Sequence, residues 1–209
     1  MKSILCFGDS NTWGWNPEDA SRFTLDQRWP GLLMKELGPD YYVIEEGLNG
    51  RTTVCDDPVE GANKNGLTYL TPCLSSHAPI DLVIVALGAN DLKERFNRSA
   101  AEIAQGVGIL VDLIQRSSAG PNRTAPQVMI VAPALFNRNT IYKEMFAGAL
   151  PKLKEFPQYY GRIAQQYGCD LLDLALHINC ESKDGMHYDV EDHRIICELL
   201  VPRIKKVIG

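Results

Sequence analysis

Ile4-Leu5-Cys6-Phe7-Gly8-Asp9-Ser10-Asn11 stands near the start of the chain and decides how the rest is read. Four apolar residues in a row, closed by a Gly-Asp turn, describe a short strand. The run is too short for the apolar core of a signal peptide. Similar runs follow at Tyr42–Glu45, Leu82–Leu87, Val128–Ala132 and Asp170–Leu174. Helical spacing occupies the stretches between them: Trp29–Leu37, Ser99–Ser117, Pro151–Tyr167 and Val190–Ile208, with a shorter helix near Tyr69–Ser76. Asp189 is placed to cap the last helix, and Pro202 inside it predicts a kink or break. Strands alternating with helices predict an α/β fold, a three-layer α/β/α sandwich on about five parallel strands.

The 209 residues, 45% hydrophobic and 22% charged, fit one globular domain spanning 1–209. No repeat or linker interrupts it, and the Ser-, Gly- and Pro-containing stretch Ser117–Pro126 reads as a surface turn. The formal net charge is −5 and no basic cluster exceeds Lys205-Lys206, which argues against a nucleic-acid partner. No run approaches the roughly 20 apolar residues of a membrane span, so the chain is expected to be cytoplasmic. The six cysteines form no C-x-x-C pair, so neither a zinc site nor a redox dithiol is signalled. They are expected to be reduced core residues, with Cys6 and Cys169 in strand-like runs and Cys55 the one of chemical interest.

In open parallel sheets, ligands bind beyond the carboxyl ends of the strands. The turns there read Gly8-Asp9-Ser10-Asn11, Gly47-Leu48-Asn49-Gly50-Arg51 and Gly88-Ala89-Asn90-Asp91. A serine just after a strand and a Gly-Asp turn presents its hydroxyl to the cleft, but it needs a base to become a nucleophile. Of the four histidines, His187 follows Asp184 by three residues in Asp184-Gly185-Met186-His187. That carboxylate is placed to hold Nδ1–H while Nε2 faces Ser10. The Ser10 N–H, the Gly50 N–H and the Asn90 side-chain amide are candidate donors to a developing oxyanion.

Gly8-Asp9-Ser10, Gly50, Gly88-Ala89-Asn90-Asp91 and Asp184-Gly185-Met186-His187 together resemble, in order, the four sequence blocks of the SGNH/GDSL hydrolases. The stretches Gly8–Trp15, Glu45–Thr53 and Asp56-Asp57-Pro58 resemble the bacterial arylesterase and acyltransferase/perhydrolase branch. The resemblance implies a flavodoxin-like fold, a Ser10/His187/Asp184 triad, an oxyanion hole from Ser10, Gly50 and Asn90, and a homo-oligomer. One departure is Asn11, where a leucine gives the GDSL family its name. The implied reaction is hydrolysis of small carboxylic esters through an acyl-serine, with acyl transfer to an alcohol or peroxide as a variant and no metal or organic cofactor required.

Asn11, Trp15, Tyr142, Phe146 and Met186 are candidates for the substrate pocket, against core packing as the plain alternative. Asp9 and Asp91 read as structural turn residues, not as the carboxyl pair of a glycosidase. His77, His177 and His193 read as structural or surface residues, and His193, beside Glu191 and Asp192, is assigned to a solvated helix face. The long segments Asn16–Arg28 and Pro133–Leu150 are candidates for the pocket rim or an oligomer interface. Competing readings are a sugar O-deacetylase or thioesterase on the same triad, and a binding module without catalysis, which has no need for all five site residues.

Overall fold

The computed structural model describes residues 1–209. Five parallel strands, β1 (Lys2–Gly8), β2 (Tyr41–Gly47), β3 (Leu82–Ala86), β4 (Gln127–Ala132) and β5 (Asp170–Asp173), lie in the order β2-β1-β3-β4-β5. This is the flavodoxin-like order, in which the direction of winding reverses beside β1 and opens a crevice at the strand ends.

Alternate residues of each strand feed two separate cores. Leu5, Phe7, Val83, Val85, Val128 and Ile130 face helices α3 (Gly66–His77), α4 (Ala100–Gln115) and α6 (Phe156–Tyr167). Ile4, Cys6, Leu82, Ile84, Met129 and Val131 face α2 (Trp29–Leu37) and α7 (Val190–Ile208). With both faces covered, an uninterrupted apolar run is what each central strand requires, which is why these strands were legible. The expected three layers are therefore present, completed by the short helices α1 (Ser10–Trp13) and α5 (Ala149–Leu153). No helix is long and apolar enough to cross a membrane.

Local chemistry explains where the helices begin and where expectation failed. Ser99 caps α4 in a reciprocal capping box with Glu102, and Asp189 does the same for α7 with Asp192. The stretch expected as one helix over Pro151–Tyr167 is two, α5 and α6, with Pro157 in the first turn of the second, where a proline has no N–H to lose. Pro202 neither breaks nor ends α7, which runs on to Ile208. It lies on the exposed side, where the Glu198 carbonyl left without a donor can be hydrated. Cys169 lies just before β5 and is only half-buried.

Candidate active site

The Gly8-Asp9-Ser10 turn ends β1, and Asp9 caps α1 by accepting the Asn11 N–H at 3.0 Å. Burial pushes the Asp9 carboxyl up to about 6, against the Asn11 N–H and the charges of His187 and Arg51, which pull it down. Ser10 is thereby held at the start of α1 and is 8% exposed.

His187 reaches it from the loop before α7. Its Nε2 lies 2.9 Å from Ser10 Oγ and its Nδ1 lies 2.6 Å from Asp184 Oδ2. An ionised carboxylate only accepts, so Nδ1 carries the proton and Nε2 is free to accept from the serine hydroxyl. Asp184 Oδ1 takes the backbone N–H groups of Met186 and His187, both at 2.9 Å. Burial alone would raise this carboxyl, but the hydrogen bond and charge of His187 with those two N–H groups outweigh it and leave the group below its usual range. Gly185 makes the tight loop possible: its φ is +70°, and a Cβ there would meet Asn137 and Thr140 at 3.0 Å.

The imidazole is also fixed from its faces. Trp15 lies 5.5 Å from it, ring centre to ring centre, and Tyr142 meets it edge-on at 5.9 Å. These rings, with Phe146, Met145 and Met186, form the apolar wall of a cleft of about 630 Å³ that opens to solvent. Asn49, Glu60 and Lys93 line it too, together with Ser10, Asn11, Gly50, Asn90 and His187. All five residues expected at the pocket therefore line it, and Phe146 and Met186 belong to the apolar core as well.

Neither the Ser10 nor the Gly50 N–H bonds to another backbone or side-chain group, and the Asn90 amide is likewise unengaged. Gly50 has φ +77°, and a Cβ there would press on the Glu60 carboxylate at 2.3 Å. Donors left free at one cleft are what a negatively charged oxygen would need.

The chain is matched over residues 6–195 by the model of the GDSL-like lipase/acylhydrolase family. It belongs to that family. A carbohydrate acetylesterase from Sinorhizobium meliloti is 37% identical, with 99% of each chain covered and a TM-score of 0.93. The aryl esterase of M. smegmatis is 38% identical, covering 99% of this chain and all of that one, with a TM-score of 0.92. A putative arylesterase from Agrobacterium tumefaciens, 31% identical, superposes equally well at 0.92. No curated protein matches. This GDSL family member is a carboxylic ester hydrolase, as its family and these neighbours have it.

Several supports of the site were not legible in the GDSL member's sequence. Asn11 Oδ1 accepts the Tyr188 N–H at 3.0 Å, tying the turn that holds Ser10 to the residue after His187 across 177 positions. Thr140 Oγ1 donates to the Asp184 carbonyl at 2.7 Å, and the Asn137 N–H donates to the Gly185 carbonyl at 2.8 Å, so the segment before α5 clamps the His187 loop. Lys183 Nζ reaches the Glu18 carbonyl at 2.8 Å from the same loop. The Pro133–Leu150 segment thus braces the site as well as lining it through Tyr142, Met145 and Phe146, whereas Asn16–Arg28 touches the His187 loop through Glu18 and lines none of the cleft. Tyr160, fully buried, donates to the Leu87 carbonyl at 2.9 Å beneath the Asn90 turn.

Asp91 is structural, accepting both the N–H and the hydroxyl of Thr53. Cys55 is buried and its thiol is pushed up, first by burial and then by Asp91, so it is no nucleophile. His177 is exposed and His77 half-buried. His193 does not lie on a solvated face: it is wholly buried, its Nδ1 accepting the Trp29 N–H at 3.3 Å at the start of α2. The acidic neighbours that suggested solvent point elsewhere, because successive helical residues are about 100° apart.

Proposed function

We propose that the chain is a serine esterase for small aryl and short-chain acyl esters, working through an acyl-serine on Ser10. The observation that carries this reading is the unbroken relay from Ser10 Oγ through His187 to Asp184, at 2.9 and 2.6 Å. His187 takes the Ser10 proton as Oγ attacks the ester carbonyl, and Asp184 stabilises the imidazolium that results. The oxyanion is held by Ser10 N–H, Gly50 N–H and the Asn90 amide. His187 returns the proton to the departing alcohol, then activates water, which frees the acid and regenerates Ser10. An alcohol or peroxide in place of that water gives acyl transfer, and the apolar wall of Trp15, Tyr142, Phe146 and Met186 favours such a nucleophile.

The similarity to the M. smegmatis aryl esterase supports the aryl-ester reading. A second reading, deacetylation of carbohydrates, is supported by the polar wall of Asn49, Glu60 and Lys93 and by the similarity to the S. meliloti carbohydrate acetylesterase. The deciding test is hydrolysis of 4-nitrophenyl esters from acetate to octanoate and of acetylated sugars, with wild type and Ser10→Ala in parallel. The expected result is a short-chain preference that Ser10→Ala abolishes; equal hydrolysis by both proteins would refute Ser10 as nucleophile. Exposed Ile141 and Met145, on one of the long bordering segments, support a homo-oligomer, which light scattering would reveal.

A further inference from the structure

At the outer edge of the sheet, away from the cleft, three side chains with different donor atoms converge. Glu46 leaves the end of the edge strand β2, and Cys73 and His77 stand one turn apart in the second half of α3. One donor atom from each, the Glu46 carboxylate oxygen, Cys73 Sγ and a His77 ring nitrogen, lies within 4.8 Å of the other two. His77 Nε2 is 2.8 Å from Glu46 Oε1, and the Tyr69 hydroxyl donates to that oxygen at 3.4 Å. None of the three residues lines the cleft, and ester hydrolysis uses none of them.

We propose that Glu46, Cys73 and His77 form a binding site for one thiophilic divalent cation of the Zn²⁺ class. A sulfur, a nitrogen and a carboxylate oxygen are a zinc-type donor set, whereas Ca²⁺ and Mg²⁺ take oxygen throughout. In a tetrahedral zinc site such donors stand roughly 3.3–3.8 Å apart. The observed donors, within 4.8 Å of one another, therefore need adjustments on the order of 1 Å to reach that spacing. A sequence search for paired cysteines misses the site, since one cysteine and one histidine four residues apart supply only two of the three donors.

Three features favour occupation by a cation. Cys73 and His77 sit toward the C-terminal end of α3, where the helix dipole attracts positive charge. A thiolate and a carboxylate together neutralise a dication. His77, 31% exposed, and Glu46, 18% exposed, leave a path from solvent and room for a water as fourth ligand. Arg51 opposes binding, because its guanidinium lies 4.3 Å from the Phe7 ring centre and 5.3 Å from that of Tyr69, and its Nη1 donates to the Glu46 carbonyl. The site should accordingly bind more weakly than a four-ligand structural zinc. Burial first and Glu46 second push the Cys73 thiol up to about 12, which rules out a Cys-His nucleophile and also works against the thiolate ligand until a cation displaces its proton.

The test is titration of the 209-residue enzyme with Co²⁺, followed by displacement with Zn²⁺. A near-ultraviolet sulfur-to-cobalt charge-transfer band, saturating at one equivalent and erased by Zn²⁺, is expected. Cys73→Ser should abolish the band, and His77→Gln should weaken Zn²⁺ binding at least about tenfold. His187→Ala should leave both unchanged. Absence of the band, its persistence in Cys73→Ser, or its loss in His187→Ala would overturn the site, the last by assigning the metal to the esterase centre. Circular dichroism and 4-nitrophenyl acetate hydrolysis monitor folding of Cys73→Ser, and His77→Gln, at the exposed end, carries the same test should the buried variant not fold.

Discussion

His193 is the residue through which acid should destabilise this protein, and the size of the effect follows from its surroundings. It is wholly buried among Phe23, Tyr188 and the start of α2, with ring centres 5.4 Å from Phe23 and 6.1 Å from Tyr188. Nδ1 accepts the Trp29 N–H, so the neutral ring carries its proton on Nε2, which has no hydrogen-bond partner. Burial, with the charges of His187 and Arg28 behind it, pushes the group down to about 3 from an ordinary 6.5. Above pH 6.5 both folded and unfolded chains hold a neutral ring and the residue contributes no pH dependence. Below 6.5 the unfolded chain binds a proton that the folded one refuses, so stability falls by about 1.4 kcal/mol per pH unit until the folded group titrates. From pH 6.5 to 4.5 the loss is roughly 3 kcal/mol. Asp9 and Asp192, both pushed up to about 6 chiefly by burial, have the opposite sign: their contribution is fully present below about 3.8 and is lost as pH rises through 6. The absolute profile therefore mixes opposing terms, and a double difference isolates the histidine. His193→Asn keeps an acceptor for Trp29 and cannot ionise. Urea unfolding at pH 7.5 should find it less stable than wild type by about 1–3 kcal/mol through lost packing. At pH 4.5 that gap should narrow by roughly 3 kcal/mol and close or reverse. An equal gap at the two pH values would show that His193 does not govern the loss of stability in acid.

Three further outcomes concern the esterase centre, each read from initial rates on 4-nitrophenyl acetate. Asp184→Asn puts an amide where one oxygen receives Nδ1–H and the other two backbone N–H groups; kcat should fall about 10⁴-fold while circular dichroism stays unchanged. Asn90→Ala removes a free donor at the cleft and should lower kcat by about 10²–10³ with little change in KM, and a loss confined to KM would assign Asn90 to ground-state binding. Asn11→Leu leaves the buried Tyr188 N–H without its acceptor, at about 1–3 kcal/mol, and loosens the loop bearing His187. It should cost about tenfold in kcat with KM nearly constant, and an unchanged kcat would show that the loop holds His187 without this bond.

Much of this molecule was readable along the chain because its signals are local. The central strands β1, β3 and β4 announce themselves by apolar runs that burial on both faces demands, and the helix starts at Ser99 and Asp189 by a cap and its partner three residues on. The parallel sheet then directs attention to its strand ends, where Ser10, Gly50 and Asn90 stand in turns, and Asp184 and His187 are near enough in sequence to be recognised as a pair. Local signals misled where the third dimension overrules them. The acidic neighbours of His193 suggested solvent, and Pro202 suggested a break, because neither could show which side of α7 meets the sheet.

Residues close along the chain encode the set of elements, their alternation and the chemical types gathered at the strand ends, since each of these is a local property. Tertiary structure alone decided that Asn11 holds Tyr188, that Thr140 clamps Asp184, that Glu60 and Lys93 face the cleft, and that Glu46 meets Cys73 and His77. Those pairings depend on which faces of distant elements come within hydrogen-bonding reach, and no local periodicity encodes that distance.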